Sequence, residues 1–244
     1  MVNYPNSPVK EAVIELRFSS KLDETRLELI GKLVRDTFDE VEMIYGESTD
    51  LSVGRSGLSS TRRQTLKGTK FSYSSGFKVK VLSDRIVWSQ LAPYRCWEDF
   101  DECMVAVWTL IKNDFSLKNM SRLGVRFINE IVIPSDDQRV INLFEYLTVL
   151  PRAPSSLGVK TTAFLTRLAF EHQEDNVSSL LTVNSGAKVN AGASVILDID
   201  VYRQYLEGYT GTFVELNGIL DTLREVKNRL FESCITDKAR ELFQ

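Results

Sequence analysis

The sequence predicts an α+β fold, with a mainly antiparallel sheet of about seven or eight strands and long helices packed on one face of it. Two observations lead to this prediction. Segments in which apolar and polar residues alternate outnumber the segments with helical spacing, and several of them follow one another without a helix between them. Runs of strands between a few helices are typical of antiparallel sheets, whereas a doubly wound fold needs a helix after each strand.

The first half of the chain carries strand, helix and loop signals in turn. Residues 9 to 18 place apolar side chains at every second position, which predicts a half-buried strand. Apolar residues at helical spacing predict a helix over 22 to 41. Residues 46 to 70 are polar and rich in Gly and Ser, which predicts mostly loop, with "TDLSVG" as an alternative short strand. A strand pair over 70 to 91 and a second helix over 97 to 115 follow.

The second half is richer in strands. The segment "SRLGVRFINEIVIP" predicts a strand that ends at Pro134, and a helical turn in "INLFEYLTVL" comes next. Three more strands are predicted in "KTTAFLTRLAFEH", "SSLLTVNSGA" and "ASVILDIDVYRQYL". An apolar stripe then predicts a long helix from Phe213 to Cys234, and a second, short helix begins at Thr236.

Two domain organisations fit these elements. The first is a single α+β domain over residues 1–244 with one continuous sheet, and we favour it. The second consists of two similar α+β halves, 1–150 and 157–244, separated at "PRAPSS", because domain boundaries fall in segments of this composition.

Composition and charge exclude several classes of protein. The net charge of −3 provides no global attraction to nucleic acid or to a membrane, so any such binding requires a local patch. Three cysteines without CxxC spacing indicate neither a disulfide framework nor a zinc site. The N-terminal stretch has no secretory pattern, and no apolar run approaches the length of a membrane span. These features predict a soluble, cytoplasmic protein with no membrane partner.

The C-terminal segment "NRLFESCITDKARELF" raises a question about what it packs against. A helix as short as the one starting at Thr236 does not persist alone, so its apolar residues must dock on something. One interpretation is that it folds back onto the core of its own domain. The other is an interface with a partner protein or a second copy, in the helix-in-groove manner; the residues predicted for this interface are Phe231, Ile235, Leu242 and Phe243.

Charged residues on the polar sides of the predicted strands form a second candidate. If the strands are neighbours, the face opposite the helices carries alternating charges. Such a face could bind a phosphate or an acidic peptide through bidentate arginine. The alternative is a solvated face with cross-strand ion pairs, each worth roughly 0.2–1 kcal/mol. The residues of this predicted face are Glu15, Arg17, Arg126, Glu130 and Arg167.

A third candidate is the polar segment "GRSGLSSTRRQTLKG", which concentrates positive charge among glycines and hydroxyls. Four cations suit contact with nucleic-acid phosphates, namely Arg55, Arg62, Arg63 and Lys67. Nearby aromatic residues could stack on bases, although aromatics at alternating strand positions are more often part of a core. The segment lacks the GxxxxGK[ST] pattern, so it is not a P-loop.

Two acidic residues and one histidine complete the candidates. Asp198 and Asp200 lie two residues apart in a predicted strand, so both carboxylates point to one face, as a metal site of nucleotidyltransferase type requires. Nucleotidyltransferases carry a Gly-Ser turn well upstream of the Asp pair, whereas Gly192 to Ser194 lie only a few residues before Asp198. This spacing favours a structural role for the two Asp residues, such as capping the following helix. His172 is the single histidine of the chain and is expected to be exposed to solvent. No histidine-dependent catalytic arrangement is supported.

Three stretches of the chain, "VKEAVIELRF", "RLGVRFINEI" and "LDIDVY" followed by "KNRLFESCITDKARELF", occur in this order from its start to its end. With them, the chain resembles a sporadically distributed family of uncharacterised prokaryotic proteins of similar length. The resemblance brings no activity, cofactor or catalytic residue. The patchy distribution of that family implies horizontally exchanged genes, as in toxin–antitoxin or antiviral defence systems, which is an association and not a mechanism.

These observations together predict a non-catalytic, protein-binding component of a defence-type system, acting as a regulator, antitoxin or adaptor without a cofactor. Its partner would be a protein from the same operon or a second copy of the chain. Two alternatives stay open. One is a nucleic-acid-interacting protein that uses the basic segment 55–67, and the other is a metal-dependent enzyme that uses Asp198 and Asp200.

Overall fold

One antiparallel sheet organises the chain. The computed structural model describes residues 4–54, 57–72, 76–94, 96–135, 141–154, 161–187 and 192–244, and of residues 48–54, 57–61 and 63 it describes the backbone alone. The strands β1 to β9 are Val9–Phe18, Glu40–Gly54, Gly57–Ser72, Phe77–Leu82, Arg85–Leu91, Met120–Pro134, Leu165–His172, Val177–Ser185 and Gly192–Gln204. The helices α1 to α4 are Glu24–Val34, Trp97–Ile111, Leu216–Cys234 and Asp237–Glu241, with short 3₁₀ turns at Leu117–Asn119 and Leu143–Glu145.

The order of the strands in the sheet is β2-β3-β4-β5-β1-β6-β9-β8-β7. All neighbouring pairs are antiparallel, which confirms the predicted α+β class with a mainly antiparallel sheet. The described residues form nine strands instead of the seven or eight predicted. The additional strands come from the segment 46–70, most of which was predicted as loop.

Strands from both sides of the "PRAPSS" segment meet in the middle of this sheet. Strand β6 pairs with β9 from Arg122 opposite Gln204 to Pro134 opposite Gly192. The two halves of the sequence therefore contribute to one hydrogen-bonded sheet. Ser155 and Ser156 of the predicted boundary lie outside the described residues.

Alternate side chains of the central strands form the core. Ile14 of β1 lies directly opposite Trp88 of β5 on one side and Val125 of β6 on the other, and all three side chains are fully buried. The apolar alternation in residues 9 to 18 thus predicted both the strand and its buried face. Removing such side chains from water stabilises the fold by roughly 25 cal/mol per Å² of apolar surface.

The long helices pack on apolar side chains of the sheet. Phe38, just after α1, contacts Phe71 of β3, with ring centroids 4.4 Å apart. Phe100 of α2 lies 5.6 Å from Phe77 of β4, again between ring centroids. Helix α3 packs along β6 and β9. In the described part of the chain, no helix combines the length and the hydropathy that crossing a membrane requires.

Helix α1 is shorter than the periodicity predicts. Its N-cap is Asp23, whose Oδ1 accepts the backbone N–H of Arg26 at 2.8 Å. The helix ends at Val34, and Glu40 already opens β2. The prediction of a helix through residue 41 was wrong because Phe38 and Val41 satisfy helical spacing by chance, although they contact the core from a turn and a strand.

Strands β2 and β3 form a long two-stranded ribbon where mostly loop was predicted. The two strands pair from Glu40 opposite Ser72 to Gly54 opposite Gly57. Strand β4 pairs with β3 at residues 68–72, so within the described chain residues 57–67 pair with β2 and with no second strand. The loop prediction was wrong because these residues pair with each other across the ribbon, although their polar, Gly- and Ser-rich composition is also typical of loops.

Candidate binding face of the sheet

Side chains that point away from the core line an open groove of about 500 Å³. They come from every second position of β5, β1, β6, β9 and β8, because successive strand residues point to opposite faces of a sheet. We call this surface the open face. Its lining residues are Glu11, Val13, Glu15, Arg17, Val87, Arg122, Gly124, Arg126, Ile128, Leu180, Asp200, Tyr202 and Gln204.

Arg122 is the centre of the charge network on the open face. Its Nη1 donates to Glu15 Oε1 at 2.8 Å, and its Nη2 donates to Asp200 Oδ1 at 2.7 Å. The guanidinium carbon also lies 4.5 Å from the centre of the Tyr202 ring. Arg122 therefore joins strands β1, β6 and β9 through one side chain.

Gly124 makes this position of Arg122 possible. A Cβ on Gly124 would lie 2.5 Å from Arg122 Nη1, which is closer than nonbonded atoms can approach. The guanidinium therefore lies across the backbone of β6, between Glu15 and Tyr202, the residues directly opposite Gly124 on either side. The side chains of Arg122, Glu15 and Asp200 are 13%, 16% and 24% exposed, so the network is largely shielded from water.

Arg126 and Asp198 form a second, more exposed pair. Nε and Nη2 of Arg126 donate to the two carboxylate oxygens of Asp198 at 2.8 and 2.6 Å, which is the bidentate geometry of a strong ion pair. The hydrogen bonds from Arg126 to Asp198 raise the pKa of the guanidinium. Burial raises the pKa of the Asp200 carboxyl, although the positive charge of Arg122 acts in the opposite direction.

The residues predicted for the charged face are only partly brought together. Glu15, Arg17 and Arg126 line the groove, and Arg17 Nη2 donates to Glu15 Oε1 at 2.9 Å. Glu130 does not line it, and accepts instead from Ser194 Oγ at 2.7 Å. Arg167 also lies outside the groove, on β7, where its Nε donates to Thr182 Oγ1 at 3.3 Å.

Sequence reasoning missed Arg122, although a signal for it exists. In "RLGVRF", the residues Arg122, Gly124 and Arg126 alternate and so share one face of β6. A glycine between two arginines on a strand face leaves room for a long side chain to lie flat against the sheet. Tyr202 follows Asp198 and Asp200 with the same period on β9, which is the neighbouring strand.

Asp198 and Asp200 lie within β9, and both carboxylates are bound to arginine. Neither caps a helix as expected, because β9 continues to Gln204 and α3 begins at Leu216. Among the residues that the structure describes, no three or more His, Cys, Asp or Glu side chains form a group that could hold a metal ion. His172, expected to be exposed, is half-buried, with Nε2 at 2.8 Å from Ser179 Oγ.

The residues predicted for a C-terminal interface pack within their own chain. Phe231, Ile235 and Phe243 are buried, and Leu242 is half-buried. The ring of Phe243 lies 5.3 Å from that of Tyr4. As the chain stands, these side chains stabilise its own fold, and a role for them in binding a partner stays a prediction.

Backbone hydrogen bonds hold the same segment in place. Thr236 N donates to Tyr146 O at 3.0 Å, and Thr148 N donates to Cys234 O at 2.9 Å. The Asn6 N–H donates to Phe243 O at 2.9 Å. As predicted, Thr236 caps the short helix α4, because its hydroxyl accepts from the Ala239 N–H. We call residues 235 to 243 the C-terminal latch.

Three of the four predicted phosphate-contacting cations, Arg62, Arg63 and Lys67, lie on β3. Arg55 and the side chain of Arg63 lie outside the described residues. Arg62 and Lys67 are exposed on β3, and Lys67 extends over Gly46 of β2. These cations therefore lie on a strand and not on the loop that the sequence predicted.

Comparisons of the chain with protein-family models, with curated proteins and with solved structures found no match.

Proposed function

We propose that this chain is a non-catalytic protein that binds another protein through the open face of its sheet. The observation that carries the proposal is that Arg122 and Arg126 are already paired with the carboxylates of Glu15, Asp200 and Asp198. A site for chemistry would need an acid, base or nucleophile free to react, whereas a recognition surface needs fixed groups of both signs.

A protein surface fits this face better than a phosphate or a polyanion does. An incoming anion would have to displace the carboxylates that Arg122 and Arg126 already bind. Half-buried aliphatic side chains also interrupt the charges, including Val13, Ile128 and Leu180. Mixed charge around apolar contacts is the usual composition of a protein interface.

The proposal includes a one-sided arrangement of the helices. Phe71 and Phe77, which contact Phe38 just after α1 and Phe100 of α2, alternate on their strands with residues of the opposite face. We infer that α1, α2 and α3 cover a single face of the sheet, which leaves the open face to a partner. A regulator, antitoxin or adaptor of a defence-type operon would use the face in this way.

Site-specific photo-crosslinking tests the proposal. A benzophenone amino acid is placed at Ile128 or Leu180 on the open face, and at Leu206 or Val214 as controls. The control side chains are 99% and 77% exposed, so they report unspecific capture. Irradiation of native cells is expected to yield one and the same crosslinked protein from both open-face positions, and to yield none of it from the controls.

Charge reversal then links the captured protein to the network. Arg126→Glu is expected to weaken binding of the purified partner, because it replaces an exposed positive charge of the open face with a negative charge beside Asp198. Lys21→Glu is the matched control, since Lys21 is an exposed cation outside the groove. Equal capture at all four crosslinking positions, or equal binding by both variants, would contradict the proposal.

A second candidate function rests on the β2–β3 ribbon. A two-stranded ribbon fits the major groove of DNA, and this one carries exposed Arg62 and Lys67. Fluorescence anisotropy with labelled duplex DNA at several salt concentrations measures it, since phosphate contacts give a steep salt dependence. Tight binding that is lost in Arg62→Glu/Lys67→Glu and kept in the exposed control Lys80→Glu would favour this function over the first.

A further inference from the structure

Strand β7 is an edge of the sheet in the part of the chain that the structure describes. It is the last strand in the sheet order, and in the described chain its outer backbone groups have no partner strand. Leu165 and Leu168 are 68% and 37% exposed. The pairing with β8 runs without a bulge, and β7 contains no proline. Proteins normally block such edges with like charges, proline or bulges, whereas the two charged residues of β7, Arg167 and Glu171, are of opposite sign.

The opposite edge of the sheet is protected. Strand β2 has a register shift between Ile44 and Tyr45, and it carries Glu40, Glu42 and Glu47. A second copy that paired with this edge would bring like charges together. The contrast between the two edges indicates that β7 is left open for a partner.

We propose that β7 pairs antiparallel with β7 of a second copy of this chain, with a two-fold axis that passes between the two copies of Ala169. Antiparallel pairing about such an axis places residues whose numbers are symmetric about the centre directly opposite each other and on the same face. With Ala169 at the centre, Arg167 lies opposite Glu171, and Leu168 lies opposite Phe170. Each of these pairs occurs twice.

The sequence of β7 favours this centre over its neighbours. Arg167, Ala169 and Glu171 share the open face, because Ala169 pairs with Leu180, which lines the groove. Leu168 shares the other face with the buried Leu181, opposite which it lies on β8. A centre at Leu168 would place Arg167 opposite Ala169 and would leave Glu171 opposite Leu165, so both ion pairs would be lost. A centre at Phe170 would place Glu171 opposite Ala169.

Existing contacts leave Arg167 and Glu171 compatible with these pairs. Arg167 Nε donates to Thr182 Oγ1, and Glu171 Oε2 accepts from Ser178 Oγ at 2.8 Å. Each charged group keeps further donors or acceptors for a partner strand. At the axis the two Ala169 methyl groups lie side by side on the open face, with the two backbones at the spacing of a normal sheet, about 4.8 Å.

Such a dimer has one continuous sheet through both copies. Because the axis is perpendicular to the sheet, the two open faces lie on the same side and side by side. The proposal does not depend on the function proposed above, since β7 lies outside the groove. It does imply that a partner of the open face would meet two copies of it.

Sedimentation velocity of the full chain over a range of concentrations tests the proposal. The chain is expected to dimerise, and the single variants Arg167→Glu and Glu171→Arg are each expected to weaken dimerisation by about ten-fold or more, because each creates two like-charge pairs. The double variant Arg167→Glu/Glu171→Arg restores opposite charges and is expected to regain dimerisation. Circular dichroism of each variant verifies that the monomer is folded.

Oxidative crosslinking tests the position of the axis. Directly opposite residues have Cα atoms about 4.5–5.5 Å apart, which is within the range for a disulfide, so Ala169→Cys is expected to form a covalent dimer under mild oxidation. The unmodified chain, with its three free cysteines, is the control. A chain that stays monomeric at high concentration overturns the proposal, as does a dimer that neither single charge reversal weakens or one that Ala169→Cys fails to crosslink.

Discussion

At the scale of single residues, the open face depends on a glycine. Gly124 leaves the space in which the Arg122 guanidinium lies flat against β6 and reaches carboxylates on both neighbouring strands. A side chain at this position would push the guanidinium toward solvent. The largely shielded network of Glu15, Arg122 and Asp200 therefore depends on glycine, which has no side chain, at position 124.

Removal of Arg122 is expected to destabilise the fold far more than removal of Arg126. Arg122→Met leaves the shielded Asp200 carboxylate without the guanidinium that binds it, although Glu15 keeps Arg17 and Arg85, and is expected to cost about 3 kcal/mol in the free energy of unfolding. Arg126 is 49% exposed, so Arg126→Met should cost about 1 kcal/mol or less. Urea unfolding of both variants measures the difference. Equal destabilisation by the two variants would show that the network around Arg122 contributes no more to stability than the Arg126–Asp198 pair does.

Lys227 gives a residue-scale prediction about pH. Its Nζ lies 3.9 Å from the centre of the Phe127 ring, and burial lowers the pKa of its ammonium to about 7 from the ordinary 10.5, with Arg224 acting in the same direction. Between these values the unfolded chain binds a proton at this residue that the folded chain does not. The contribution of Lys227 to the free energy of unfolding therefore rises as the pH rises from 7 toward 10.5.

The variant Lys227→Met is expected to remove that rise. From pH 7 to pH 9 the wild-type chain should gain on the order of 2 kcal/mol relative to Lys227→Met, because each pKa unit corresponds to about 1.4 kcal/mol. Urea unfolding at the two pH values measures this difference. Lys112→Met, at an exposed lysine just after α2, should keep the wild-type pH dependence. The same change of stability with pH in the wild type and in both variants would show that Lys227 is not the cause of the rise.

At the scale of secondary-structure elements, the C-terminal latch shows how a helix too short to persist alone is stabilised. Helix α4 has five residues, and Thr236 provides its N-cap. Its stability comes from the burial of Ala239 and Phe243 and from backbone hydrogen bonds to residues far away in the sequence. The requirement for docking could be predicted from the sequence, whereas the docking surface around Tyr4 could not.

The variant Phe243→Ala is expected to lower the free energy of unfolding by about 3 kcal/mol, because it opens a cavity between the rings of Tyr4 and Phe231. Leu206→Ala is the matched control, since the Leu206 side chain is almost fully exposed and its removal leaves no cavity. Thermal unfolding followed by circular dichroism compares the two. A destabilisation of Phe243→Ala no larger than that of the control would mean that the latch does not contribute to the core.

The elements that could be predicted from the sequence are those with a buried face. Strand β1 and helix α2 bury one regular stripe of side chains, so their positions follow from periodicity. Strands β2 and β3 escaped prediction because their outer parts pair with each other and need no apolar stripe. On the open face, Glu15, Arg17 and Arg126 could be predicted from alternation, but the central role of Arg122 depends on which strands are neighbours, and that is a property of the tertiary fold.

At the scale of the whole molecule, the sheet joins both halves of the sequence at its centre. Strand β6, from the first half, lies between β1 and β9, so its long pairing with β9 has no substitute within residues 1–150. The buried face of β6 and the helix α3 that packs on it also come from different halves. The core is therefore continuous from one half of the sequence to the other through β6, β9 and α3.

Separately expressed halves, 1–150 and 157–244, are therefore expected to remain unfolded. Each would expose the apolar surface and the unpaired backbone groups of β6 or β9. Circular dichroism and thermal unfolding of each piece measure this, with the full chain as the reference. A cooperative transition in either piece alone would instead support two domains.

The central position of β1 also sets the order in which the protein can assemble on the ribosome. Val9–Phe18 is synthesised well before its neighbours in the sheet, β5 and β6. At a translation rate of about 5–20 residues per second, the apolar strand stays unpaired for several seconds before β5 is synthesised. During translation the chain therefore exposes an unpaired apolar strand that can aggregate. The yield of folded protein in cells should depend on chaperones that bind nascent polypeptides.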